Sequence, residues 1–159
     1  MLTLYVPKLE DYWYEQKLQS DPKTMEYNAG YDVSYYGYHY DTGCIDFPKE
    51  RWQLSYDRRI KEKRYFAYLK DLSTNEFVGY VNYHYNKKDN RYECGIVIES
   101  IYRGKGYAKE NGINALYDNF EKDRNGAKVF FELGFEIVEE TTWKKFGKDV
   151  IGIIIKKDL

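Results

Sequence analysis

An apolar run, Gly95-Ile96-Val97-Ile98, passes directly into "ESIYRGKGYAKE" (99–110), where two glycines stand among cations. That junction constrains the fold more than any other stretch. It reads as a strand, a glycine turn and a helix start, which places backbone amides and a helix N-terminus at the carboxyl end of a strand. Glycine also lets main-chain N–H groups approach an anion closely. Two readings stand side by side, a phosphate cradle and a plain strand-to-helix turn. Arg103-Gly104-Lys105-Gly106 is too short for a Walker A loop and lacks the third glycine of the dinucleotide fingerprint.

The 159 residues suit one domain, 1–159, with a core of its own. Lys and Arg number 25 against 26 Asp and Glu, a net charge of −1, which argues against a general nucleic-acid binder. No apolar run is long enough to span a bilayer, and "MLTLYVPKLEDYW" lacks the basic flank and long apolar stretch of a signal peptide. A cytoplasmic protein without nucleic-acid or membrane partners is expected. Cys44 and Cys94 are far apart, and His39 and His84 add no metal-ligand spacing, so reduced thiols and no metal are expected. Tyrosine is the outlier at 19 residues, concentrated in "YNAGYDVSYYGYHYD" (27–41). Such a stretch fits a pocket lining or a partly buried surface loop equally well.

Along the chain, "LTLYV" reads as a short strand and 7–20 as an amphipathic helix. Ser20 or Asp21 caps a further helix with Pro22 in its first turn. Residues 47–63 form a long helix with Trp52, Leu54 or Tyr56, and Ile60 on its buried face. Strands follow at 64–71 and 76–86, joined through "LSTN", then at 91–100, where the continuously apolar "GIVI" suggests a central strand covered on both faces. Beyond the glycine loop come a strand at 113–121, a helix at 123–135 capped by Gly134, and a closing hairpin around "FGKD". The order predicts an α/β fold of three layers around one mixed, mostly antiparallel sheet with helices on both faces.

"YECGIVIESIYRGKGYAKE" resembles the acetyl-coenzyme-A-binding motif of the GNAT superfamily of N-acetyltransferases, with Arg103, Gly106 and Ala108 in the signature positions. "DRNGAKVFFELGF" resembles that family's second motif, and "SDPKTMEY" and "NEFVGYV" resemble its ribosomal-protein-acetylating branch. The resemblance implies acetyl-CoA as cosubstrate, an amine acceptor and no metal, and it is compatible with a homodimer. It also implies that the strand before the loop splays from its neighbour, so that pantetheine completes the hydrogen bonding at Ile96, Val97 and Ile98. The pyrophosphate then falls to the amides of Gly104, Lys105, Gly106, Tyr107 and Ala108, with charge from Arg103 and Lys105. Asp123 and Phe130 of the second motif are implied as further cofactor contacts.

Acetyl transfer needs a neutral amine, so a base must take a proton from an ammonium. The resemblance makes Glu93 the first candidate and Asp118 the second, against the plainer roles of ion pairing and capping. Glu99 matches the acidic turn before the cofactor loop and ranks lower. The second motif's helix often carries a tyrosine as the acid for sulfur, and Phe130 stands there instead. Another tyrosine, a water or simple departure of the thiolate must serve. Cys94 reads as a buried thiol. The rival reading is a non-catalytic acyl-CoA-binding module of the same fold, and a third is a tyrosine-rich sugar- or peptide-binding domain.

The crossover after the loop is short. Between Gly106 and Asn111 only one helical turn fits, about 6 Å of rise, against a strand of about 17–20 Å. Either the crossover helix is lost and the sheet rearranged, or a segment is missing at Glu110–Asn111; the second is the preferred expectation.

Overall fold

In the computed structural model, residues 2–87, 90–103, 115–122, 131 and 134–158 are described. The chain opens with strand β1 (Leu2–Tyr5), a 3₁₀ turn (Leu9–Tyr12), α1 (Trp13–Ser20) and the single-turn α2 (Pro22–Met25). After the tyrosine-rich loop come α3 (Trp52–Lys61) and the strands β2 (Tyr65–Asp71), β3 (Phe77–Asn86) and β4 (Arg91–Ile98). A 3₁₀ turn (Ser100–Tyr102) leads toward β5 (Ala115–Glu121), and β6 (Glu136–Lys145) and β7 (Lys148–Asp158) close the chain. The helix expected over 7–20 thus begins as a tighter turn and becomes α-helical only at Trp13.

The described ladders are all antiparallel and fall into two sheets, β1-β2-β3-β4 and β5-β7-β6. The single continuous sheet of the sequence reading is therefore divided, and the division lies between β4 and β5. β4 is an edge of its own sheet rather than a central strand. Val97 is buried, whereas Ile96 is 38% exposed, so "GIVI" is apolar without being covered on both faces.

Period-2 alternation sorts the first sheet's side chains. One face carries Phe66, Tyr68, Tyr80 and Val97, which pack with Tyr14 and Leu18 of α1. The other carries Ala67, Leu69, Val78 and Val81. Helix α3 departs from its expected face. Trp52 is buried, but Leu54 and Ile60 are 59% and 65% exposed. The inward position one residue before Ile60 belongs to Arg59, which lies over the Phe66 ring at 3.7 Å and over Tyr12 at 5.1 Å. A buried ion pair has taken the place that hydrophobic periodicity assigned to isoleucine.

Local signals fared better at the turns. The Asp21 carboxylate accepts from the amides of Lys23 and Thr24 at 3.1 and 3.2 Å, capping α2 with Pro22 behind it. Phe146 and Gly147 both have positive φ, 48° and 71°, the geometry of a tight hairpin turn. Gly134, at φ 83°, donates its amide to the Phe131 carbonyl at 2.9 Å, as a helix C-cap does. The helix expected before it and the Glu110–Asn111 junction lie outside the described residues.

Candidate active site

Glu93 and Val97 are four residues apart on β4 and share the face that meets α1. Across the ladder His84 stands opposite Glu93, and Asn82 opposite Gly95. The Glu93 carboxylate accepts from Asn86 Nδ2 at 3.0 Å, and its second oxygen lies 3.9 Å from His84 Nε2. Both side chains are about three-quarters buried, at 25% and 29% exposure. A largely buried carboxylate that accepts from an amide and is faced by an imidazole can take a proton and pass it outward.

Beside this pair a depression opens on the same face, lined by Arg59, Arg64, Phe66, Asn82 and His84 together with Tyr65 and Tyr83. Arg59 Nη2 donates to Glu15 Oε1 at 2.6 Å, where Gln19 Nε2 also donates at 2.9 Å. Burial works against the Arg59 charge, but Glu15 more than restores it and holds the guanidinium above its ordinary value. Arg64 donates through Nε to Glu62. Sequence reading missed His84, Asn82, Arg59 and Arg64. Only the cross-strand register and the helix's true inward face bring them together.

The other end of β4 is built differently. Glu99 is 4% exposed and accepts from Lys17 Nζ at 2.6 Å and from the Tyr14 hydroxyl at 3.1 Å. Burial first, and then Glu99, push the Tyr14 hydroxyl far above its ordinary value. Ser100 donates its amide to Thr24 Oγ1 at 3.0 Å and its hydroxyl to Asp21 at 3.1 Å. Arg103 is engaged with the protein's own backbone. Its guanidinium donates to the carbonyls of Ile98, Lys23 and Thr24 at 3.2, 3.1 and 2.7 Å and reaches Glu26 at 3.4 Å. The side chain fastens the chain at Arg103 to α2, whose closing carbonyls need donors.

Asp118 lies on β5 opposite Ile155 of β7, and Cys94 on β4 opposite Tyr83. Gly104, Lys105, Gly106, Tyr107, Ala108, Asp123 and Phe130 lie outside the described residues. On the side of β4 away from β3, Ile96, Val97 and Ile98 have no ladder partner among the described residues, an edge that fits an amide-rich arm laid along it. No group of three or more His, Cys, Asp and Glu able to hold a metal occurs among the described residues. Nor does any described helix have the length and apolarity to cross a membrane.

The tyrosine-rich loop is partly core and partly surface. Tyr27 packs against the α1 cluster, and the Tyr38 hydroxyl bonds the Asn28 carbonyl at 2.7 Å. Tyr31 bridges Lys145, and the Tyr40 ring meets Phe146 edge-on at 5.3 Å, so the loop is fastened to the β6–β7 turn. Tyr35, Tyr36 and Tyr40 remain exposed.

Comparison with known proteins bears on this arrangement. The model of the acetyltransferase (GNAT) domain matches residues 2–133. Among solved structures, a spermidine N-acetyltransferase mutant from Vibrio cholerae superposes with a TM-score of 0.70 at 16% identity, over 99% of this chain and 93% of that one. A GNAT-family acetyltransferase from Bacillus anthracis gives 0.69 at 14% identity, over 99% and 94%. An N-acetyltransferase from Staphylococcus aureus Mu50 gives 0.67 at 13%, over 99% and 98%. No curated protein matches. These likenesses carry the fold, and the domain match carries the family. A domain match over most of the chain, with an antiparallel sheet that ends at β4 among the described residues, places this protein in the GNAT acetyltransferase family, as an N-acetyltransferase whose family cosubstrate is acetyl-CoA.

Proposed function

We propose that this enzyme moves acetyl from acetyl-CoA to a primary amine by direct attack, with Glu93 as the general base. The Glu93 position carries the reading: a carboxylate on the cofactor-edge strand, three-quarters buried, oriented by Asn86 and faced by His84. Glu93 takes one proton from the acceptor ammonium, directly or through a water. The freed amine forms a C–N bond to the acetyl carbon as the C–S bond breaks, and coenzyme A leaves as a thiolate that is then protonated. The amide product loses its remaining extra proton, so one proton is released per turnover. No enzyme nucleophile is used, which leaves Cys94 a strand residue.

Gly104 to Ala108 supply the proposed pyrophosphate contacts through their amides, with Ile96, Val97 and Ile98 along the pantetheine arm. Asp118 is the alternative base. The spermidine acetylated by one structural neighbour supports an amine acceptor in general and no particular one here. The resemblance to the ribosomal-protein-acetylating branch rests on "SDPKTMEY", which here caps and builds α2, and on the β2–β3 hairpin, so it speaks for kinship more than for an acceptor. The deciding experiment follows coenzyme A thiol release from acetyl-CoA with a panel of primary amines. Acceptor-dependent release supports the enzyme. Tight acetyl-CoA binding with no release above solvent hydrolysis for any amine would favour a cofactor-sensing module.

A further inference from the structure

We infer that the depression beside Glu93 binds a carboxylate, so that the preferred acceptor carries an acidic group a few bonds from its amine; this rests on Glu93 being the base. The lining presents donors. Arg59 and Arg64 are each held from one side by a carboxylate, Glu15 at Nη2 and Glu62 at Nε. That leaves Arg59 Nη1 buried with no hydrogen-bond partner, while Arg64, 34% exposed, is held through Nε at the rim. A guanidinium has no acceptor atom, so only an oxygen-bearing group relieves such a donor. Leaving it unpaired costs on the order of 1–3 kcal/mol.

The matching acceptors point elsewhere. Glu15 Oε2 and Gln19 Oε1 are also buried without partners, but neither residue lines the depression. A cationic group entering it would meet two guanidiniums first. Arg59 lies over the Phe66 ring at 3.7 Å, and its unpartnered Nη1 is a charged donor that suits a carboxylate oxygen. Asn82 and His84 can each donate or accept beside it.

The spacing fits a zwitterion. Arg64 precedes Tyr65, which faces Tyr83 on β3, and the next row joins His84 to Glu93 on β4. Arg64 and Glu93 therefore stand two strand spacings apart, about 10 Å between backbones. A carboxylate at the arginine end and an ammonium at the glutamate end span that row, with His84 between them. Simple amines fill only one end, and polyamines place a second charge against the arginines.

The test compares acceptors matched in length: 4-aminobutyrate, butylamine and 1,4-diaminobutane, with acetyl-CoA, together with the ω-amino acids from glycine to 6-aminohexanoate. The carboxylated member is expected to exceed its matched amine in kcat/KM by about tenfold or more. Arg64→Ala should bring that ratio close to one, and Arg64→Lys should restore part of it. Arg64 is at the rim, so these variants keep the fold, as thermal unfolding verifies. Equal rates for the matched pair, or a preference for the diamine that Arg64→Ala leaves intact, would overturn the inference while leaving the acetyl-transfer reading in place. If no acceptor turns over, calorimetric titration of 4-aminobutyrate and butylamine into the protein with coenzyme A decides the inference separately. Binding of the amino acid that Arg64→Ala abolishes upholds it, and equal or absent binding of both removes it.

Discussion

The two ends of β4 handle polar groups in opposite ways. At the Ile98 end nearly every polar atom has a partner. Glu99 holds Lys17 and Tyr14, Ser100 is fixed by Thr24 and Asp21, and Arg103 spans three carbonyls. At the Glu93 end the pairing is incomplete at Arg59, which keeps a buried donor unpaired, while Glu93 accepts from Asn86 and lies 3.9 Å from His84. Saturated pairing rigidifies a segment, whereas unpaired donors in a depression leave capacity for a ligand. The first end is fastened to α2 and α1, and the second has donor capacity left over.

The most damaging break comes at the incomplete end. Arg59→Met keeps bulk over Phe66 but leaves the Glu15 carboxylate, 4% exposed, without its cation. Removing one partner of a buried pair costs about 3–5 kcal/mol. Urea unfolding should register that loss, and Glu15→Met combined with Arg59→Met should recover most of it. A single-variant loss under about 1 kcal/mol would mean that the pair is better hydrated than its burial indicates.

Chemistry at the same end gives the next effect. Glu93→Gln keeps the bond from Asn86 and removes the basic oxygen, so kcat/KM near neutral pH should fall by about 10²-fold or more, in the range general-base catalysis supplies. Asp118→Asn is the control. If Glu93→Gln costs less than about threefold and Asp118→Asn costs more, the base is on β5, and the contrast between the two ends of β4 loses its chemical half.

What was legible in the sequence follows this contrast. Strand limits, the Asp21 cap, the Gly134 cap and the Phe146-Gly147 turn are local signals, and residue type decides them within a few positions. The family motif was legible for the same reason: it is a contiguous run. Long-range pairing was not. His84 faces Glu93 only through the β3–β4 register, and no periodicity on either strand announces it. Arg59 displaced Ile60 from the core because Glu15, 44 residues earlier, supplies a buried partner that hydropathy cannot weigh. The carbonyls that Arg103 serves lie 79 and 80 residues away, so no local signal announces those bonds.

At the saturated end a single contact matters less, since neighbours share the load. Arg103→Ala removes bonds to three carbonyls, but the side chain is 39% exposed and water can replace part of them. A loss of about 1–2 kcal/mol is expected, in line with net values of about 1 kcal/mol per bond. Amide exchange at Ser100 and Arg103 should quicken by a larger factor than at β2. Uniform exchange would show that Arg103 does not fasten the loop entrance.

The smallest effect, and the one that resolves the saturated end by pH, belongs to Asp21. Burial works to raise its carboxyl, but bonds from the Thr24 hydroxyl, the Lys23 amide, the Ser100 hydroxyl and the Thr24 amide outweigh it and hold the group below its ordinary value. A carboxylate depressed in the folded state adds stability that is complete above its unfolded value, about pH 4, and is lost as pH falls through the folded one. Asp21→Asn keeps an oxygen for the cap and removes the charge, so it should lower Tm by about 1–3 °C at pH 6 for a chain of this length. Below the folded value the wild-type group is also neutral, and the two melting curves should converge. A gap that persists unchanged to pH 2 would assign the effect to cap geometry instead of charge. Because Asp21 joins α2 to Ser100, convergence would also show that the latch between the short helix and the loop entrance is electrostatic in part.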